Sequence, residues 1–167
     1  MAKTSLQAKL LDQWAYENLE AMEVSIESGT VKLKLGVVYR PPPSSENGHT
    51  LAGFLDDFIS LSEGYATSHR DCILVGDFNC HVELPTDRPA QRFLSVLNDT
   101  NLQQHVAGPT HVSEHTLDLV ISPASSRLVT RTSFCHDVRS QLGTCNIKQS
   151  ETSSAFKGNN YQETEIH

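Results

Sequence analysis

Basic residues are in short supply in this chain: 13 Lys and Arg stand against 20 Asp and Glu, a formal charge of −7 over 167 residues. A broad electrostatic grip on nucleic acid normally needs clustered Lys and Arg, so the balance counts against that mode of binding. It does not exclude an enzyme that meets a phosphate through a metal and a few donors. Cysteine is sparse as well. Cys72, Cys80, Cys135 and Cys145 form no C-x-x-C pair, and two of them flank or lie within an apolar run, so free thiols in a reducing compartment are expected and disulfides are not. No stretch approaches the length needed to cross a membrane, and the N-terminus lacks a continuous apolar signal core. These absences point to an intracellular protein, cytoplasmic or nuclear and not secreted, with no membrane partner. There are no internal repeats, and the length suits one domain with a real core.

What is present centres on Cys72-Ile73-Leu74-Val75-Gly76-Asp77-Phe78-Asn79. A short unbroken apolar run has the signature of a strand covered on both faces. Gly76 lets the backbone turn sharply or be approached closely where the strand ends. Asp77 and Asn79, two apart, point to one side if the backbone stays extended, a carboxylate beside an amide. That pair suits orienting a water against a phosphate. The plainer reading is a turn whose side chains bond nearby backbone N–H groups.

Residues 1–18 place Leu6, Leu10, Leu11 and Trp14 at helical spacing, which predicts a short amphipathic helix with little to dock on. Met22, Val24 and Ile26 then alternate with polar residues, as do Val31, Leu33, Leu35 and Val37 beyond Ser28-Gly29, which predicts a β-hairpin. Pro41-Pro42-Pro43 ends the second strand. Leu51, Phe54, Leu55, Phe58, Ile59 and Ser62 follow helical spacing, with Asp56 and Asp57 on the wet side. After the central strand, Thr86 or Asp87 caps a helix with an apolar stripe of Ala90, Phe93, Leu94 and Leu97. Leu102 to Val106 and Leu117 to Ile121 read as strands, and Arg127 to Phe134 as a weak edge strand. Residues 146–167 are too polar to offset the entropy of ordering them and are expected to be disordered.

Three further positions carry chemistry. Asp118 sits inside an apolar strand, where an acid is costly to bury unless paired or hydrogen-bonded. Tyr39 closes a strand before the prolines, where a tyrosine ordinarily packs its ring and leaves its hydroxyl wet. Thr110, His111 and His115 follow Gly108-Pro109 in a loop. Two histidines four apart suggest zinc when they lie on a helix, and this loop offers neither a helix nor thiolate partners.

Val38-Tyr39-Arg40-Pro41-Pro42, Gly76-Asp77-Phe78-Asn79, Gly108-Pro109-Thr110-His111 and His115-Thr116-Leu117-Asp118-Leu119-Val120-Ile121 occur in an order and at distances that resemble the endonuclease/exonuclease/phosphatase domain of LINE-type retrotransposons, which nicks target DNA before reverse transcription. The resemblance runs from about Asn18 to Ser126. It implies an α/β (α+β) fold: a partial four-layer sandwich, mainly one mixed sheet with helices on its outer face. It divides the chain into an unmatched segment 1–18, a partial domain 19–126 and an unmatched tail 127–167. By resemblance, Asp77 orients or deprotonates the attacking water and Asn79 holds the scissile phosphate. Tyr39 donates to a phosphate oxygen, Thr110 stands at the rim, and Asp118 holds the imidazole of a later Ser-Asp-His motif in its tautomer. DNA is the implied partner and Mg²⁺ or Mn²⁺ the implied cofactor.

Two parts of the family pattern have no counterpart. Nothing before Leu19 resembles the strands that carry the metal-binding Glu, so no metal ligand is assigned. No Ser-Asp-His follows Asp118, and in Ser133-Phe134-Cys135-His136-Asp137 the His and Asp stand in the opposite order. A metal supplies several kcal/mol of transition-state neutralisation, and a misplaced acid or base costs about 10²–10⁴-fold. A catalytically defective fragment is therefore expected. The same shortfall leaves one sheet face, including some of Val31, Leu33, Leu35 and Leu74, without its cover. That predicts an exposed apolar patch, and with it the alternative of a non-enzymatic module that binds a protein partner through the uncovered sheet. A phosphatase acting on a small substrate is a third reading.

Overall fold

A computed structural model describes residues 6–68, 71–129 and 132–133. Ten elements follow in order: β1 Gln7–Ala15, β2 Glu20–Ser28, β3 Val31–Tyr39, α1 Leu51–Ala66, β4 Asp71–Asp77, α2 Arg88–Asp99, β5 Leu102–Gln104, β6 Val106–Ala107, β7 Asp118–Pro123 and β8 Thr132–Ser133. Six strands form one mixed sheet in the order β1-β2-β3-β4-β7-β5, and β6 pairs with β8 in a second, two-stranded one. Within the large sheet β3 and β4 run parallel, with α1 as the crossover, and the other pairings are antiparallel. This is the α+β architecture expected, with both helices on one side. Of the predicted edge strand Arg127 to Phe134, Thr132–Ser133 is a strand, 127–129 are not, and the rest lie outside the described residues. Cys135, Cys145, His136 and the tail 146–167 lie outside the described residues.

Period-two alternation decides which side is dry. Ala21 and Glu23 on β2, Gly36 and Val38 on β3, Cys72 and Leu74 on β4, and Leu119 and Ile121 on β7 are buried. Above them Phe54 and Phe58 of α1 meet Phe93 of α2 and Phe78, with ring centroids 5.0–6.1 Å apart. Both helices start at side-chain caps: the Thr50 hydroxyl accepts from the Gly53 N–H, and the Asp87 carboxylate from the Ala90 N–H. Gly36 gives the Tyr65 ring room, because a Cβ there would meet Leu74 and the tyrosine hydroxyl. That hydroxyl donates to Glu23, which also pairs with Lys34 at 2.8 Å. A buried acid is thus satisfied from two sides.

The opposite face carries Met22, Val24, Ile26, Val31, Leu33, Leu35, Val37, Ile73, Val75 and Val120, joined by register. No helix among the described residues covers it, and Val31 is 56% exposed. Leu74 does not belong to this patch. It is 1% exposed on the helix side, because alternation sends its neighbours Ile73 and Val75 to the open face instead.

The expected N-terminal helix is a strand. Leu6, Leu10, Leu11 and Trp14 keep helical spacing, but an isolated helix of that length is marginal in water. The free edge of β2 offers a full hydrogen-bond ladder, taken up from Gln7↔Glu27 to Ala15↔Glu20. A bulge between Leu10 and Asp12 makes Leu11 the extra residue, so Leu10 opposes Val24 on the open face while Trp14 opposes Ala21 and packs on the core side. On α1, Asp57 is not on the wet side. It accepts from both the backbone and side-chain N–H of Asn18, at 2.8 and 3.0 Å, whereas Ile59, expected in the apolar stripe, is exposed.

Candidate active site

The candidate residues gather where β3 and β4 end and β7 begins. Across these strands Tyr39 stands opposite Asp77, and Asp77 opposite Asp118, as one rung of the ladder. Gly76 makes the rung possible. Its φ is 149°, and a Cβ there would lie 1.8 Å from the Val38 carbonyl oxygen, so only glycine fits between the strands. Past Gly76, the Arg40 N–H donates to the Asp77 carbonyl and the Phe78 N–H to that of Leu117, both at 2.9 Å.

Asp77 Oδ1 accepts from the Asn79 N–H at 3.0 Å, and Asn79 itself has φ 47°, so the turn reading holds alongside the chemical one. The Asn79 amide Nδ2 donates to the Arg40 carbonyl at 2.7 Å, which fixes how the side chain is presented. Arg40 is buried over the Phe54 ring, with Nη1 donating to the Phe78 and Asn79 carbonyls and the Cys80 thiol. Thr110 is a backbone organiser: its Oγ1 accepts from the Leu117 and Asp118 N–H groups, both at 3.0 Å, and so sets where β7 starts. Asp118 is exposed, not buried in its apolar strand, because it lies on the open face; Tyr39 is 44% exposed.

Burial pushes the Asp77 carboxyl above its ordinary range, the Asn79 N–H pulls it back, and the charge of Asp118 pushes it up again against an opposing pull from His111. Two carboxylates on one rung thus repel each other. Asp77 and Asp118 face each other on that rung, carboxylate oxygens of the kind a hard ion such as Mg²⁺ takes. The thiols of Cys72 and Cys80 are free and buried, and burial raises both, Cys80 to about 11 despite the Arg40 guanidinium beside it.

A second cluster lies close by, and neither its composition nor its partners were visible in the sequence. His115 Nδ1 and Glu83 Oε1 are 2.8 Å apart, His81 Nδ1 is 3.6 Å from the same oxygen, and the two imidazoles meet edge to face at 4.3 Å. These three residues could hold a metal ion, their ligand atoms all lying within 4.8 Å of one another. His111 does not join them; its Nδ1 accepts from the Ser113 N–H. The spacing of His111 and His115 was therefore no guide. The true neighbours of His115 come from the loop after β4, more than thirty residues earlier.

A family model described as Endonuclease-reverse transcriptase matches residues 33–144, from within β3 to beyond Ser126. No curated protein matches the chain. Among solved structures, the chain is similar to an endonuclease/exonuclease/phosphatase family protein from Bacteroides thetaiotaomicron, with TM-score 0.51 and 10% identity over 83% of this chain and 60% of that one. A protein of the same description from Leptotrichia buccalis C-1013-b gives 0.46 and 10%, over 83% and 66%. The human Nocturnin catalytic domain gives 0.43 and 18%, over 70% and 48%. The chain thus spans 48–66% of the length of these structures. With two thirds of its residues matched and its sheet and helices those of the fold, the chain belongs to the endonuclease/exonuclease/phosphatase family, on the branch described as endonuclease-reverse transcriptase.

Proposed function

We propose that this chain is the water- and phosphate-handling half of a DNA-cleaving endonuclease domain of LINE-type retrotransposon origin, and that alone it does not cleave. The observation that carries the reading is the rung Tyr39–Asp77–Asp118, polar side chains that strand register brings together at one end of the open sheet face, with Glu20 of β2 opposite Tyr39 on the same rung. In this reading, residues 19–126 form the partial domain. Asp77, whose proton affinity is raised, orients the attacking water and takes its proton. Asn79, tethered through Nδ2 to the Arg40 carbonyl, holds the scissile phosphate. The Tyr39 hydroxyl donates to a phosphate oxygen, Thr110 shapes the rim by holding the start of β7, and Asp118 orients an imidazole that this chain's Ser-Asp-His-free sequence does not supply. The family generally uses a divalent metal. Mg²⁺ or Mn²⁺, when bound, would neutralise charge on the phosphate oxygens. Free buried thiols suit an intracellular setting; no helix among the described residues is long and apolar enough to cross a membrane.

Supercoiled plasmid incubated with the chain and Mg²⁺ or Mn²⁺ tests this. The plasmid is expected to stay supercoiled; nicking that disappears in Asp77→Ala would overturn the inactivity while keeping the chemistry. A second reading is favoured by the apolar face that no helix among the described residues covers: a non-enzymatic module that binds a protein partner there. Absence of nicking together with a concentration-dependent oligomer in light scattering favours that module.

A further inference from the structure

We propose that His81, Glu83 and His115 form a binding site for a borderline divalent cation, with Zn²⁺ the best fit, that ties the loop after β4 to the loop before β7. It is separate from the Asp77–Asp118 rung and does not depend on the function proposed above.

The donors converge without a satisfactory partner set of their own. His81 Nδ1 is buried and has no hydrogen-bond partner, and at 3.6 Å from Glu83 Oε1 it is beyond hydrogen-bonding reach. Around a tetrahedral Zn²⁺ with bonds of about 2.0–2.2 Å, neighbouring donors sit roughly 3.3–3.6 Å apart. The His81–Glu83 separation already has that value. The 2.8 Å between His115 Nδ1 and Glu83 Oε1 is a hydrogen bond, and must open by about half an ångström as an ion replaces the proton. That proton leaves to solvent, so each imidazole binds neutral through Nδ1 with its remaining hydrogen on Nε2.

The surroundings hold the ligands in place. Glu83 Oε2 accepts from the Thr116 N–H at 3.2 Å, which leaves Oε1 turned toward the two rings. The His115 carbonyl accepts from the N–H groups of Thr110 and His111, and the His81 carbonyl from that of Leu84, so both histidine backbones are pinned. All three side chains are half-buried, so an ion can enter from solvent and a fourth position stays open to water. Two imidazoles and one carboxylate suit zinc and its neighbours; a hard ion such as Mg²⁺ prefers oxygen throughout. Asn79 lies two residues before His81 and Asp118 three after His115, so the ion would stiffen both shoulders of the candidate active site.

The test is calorimetric titration of the tag-free full chain with Zn²⁺, with thermal unfolding followed in parallel. One equivalent is expected to bind and to raise the melting temperature. His81→Ala and Glu83→Gln should each weaken binding by at least about tenfold and abolish the thermal gain, with far-UV circular dichroism unchanged; His111→Ala should do neither. If Glu83→Gln fails to fold, His81→Ala decides alone, because removing a ring nitrogen that lacks a partner breaks no existing bond. Absence of Zn²⁺ binding, or binding that survives His81→Ala undiminished, overturns the site and leaves the Glu83–His115 bond as a loop tie only.

Discussion

Replacing Gly76 by alanine would drive a methyl group into the Val38 carbonyl, at a φ that other residues avoid. We expect Gly76→Ala to cost about 2–4 kcal/mol in urea unfolding; a loss below about 0.5 kcal/mol would show that the strands part easily there. Its neighbour behaves in the opposite sense. The folded-state pKa of Asp77 is raised, so the native chain holds more protons than the unfolded one between the ordinary carboxylate range and the raised value. Stability therefore falls as pH rises through that window, and the cost is present in full above it. Asp77→Asn, which keeps the acceptor for the Asn79 N–H, should stabilise the fold at pH 7, with the gain shrinking in acid. Urea midpoints for both forms across that range read this directly, and a destabilised variant at pH 7 would refute it. The glycine and both polar residues were legible because they are consecutive with a strand that announces its own end. The His81–Glu83–His115 group was not, since nothing local pairs residues on different loops.

At the scale of elements, period two in the β2–β3 hairpin could be read directly, and the cap of α2 was narrowed to Thr86 or Asp87, of which Asp87 serves; the Thr50 cap of α1 was not read. The first strand could not be read, because its spacing fits a helix and only the waiting edge of β2 makes it a strand. Sequence likewise gave no sign that Asp57 would be claimed by Asn18, a tie between a loop and a helix that also takes in Thr50, whose N–H donates to Asn18 Oδ1 at 3.1 Å. Asn18→Ala leaves the Thr50 N–H without its acceptor and Asp57 with the backbone donor alone. It should lower stability by about 1–3 kcal/mol in thermal or urea unfolding. A change indistinguishable from zero would mean that water replaces the amide without loss.

For the whole molecule the main fact is a sheet with one dry face and one that no helix among the described residues covers. Substitutions should therefore divide by side. Leu74→Ala, under the helices, should cost about 2–5 kcal/mol. Met22→Lys with Val37→Lys, facing pairs on the open face, should cost less than about 1 kcal/mol and lower the oligomeric fraction in light scattering. Equal losses on both sides would mean that the second face is covered after all. The sequence reading mis-sided Leu74, since an unbroken apolar run hides its own phase. The open face has one more implication. Val37, Val75 and Val120 form the rung next to Tyr39, Asp77 and Asp118 on the same face. Whatever settles on the valines strips water from the carboxylates beside them, so assembly and acidity are coupled: a chain that gains its lid also gains a stronger base.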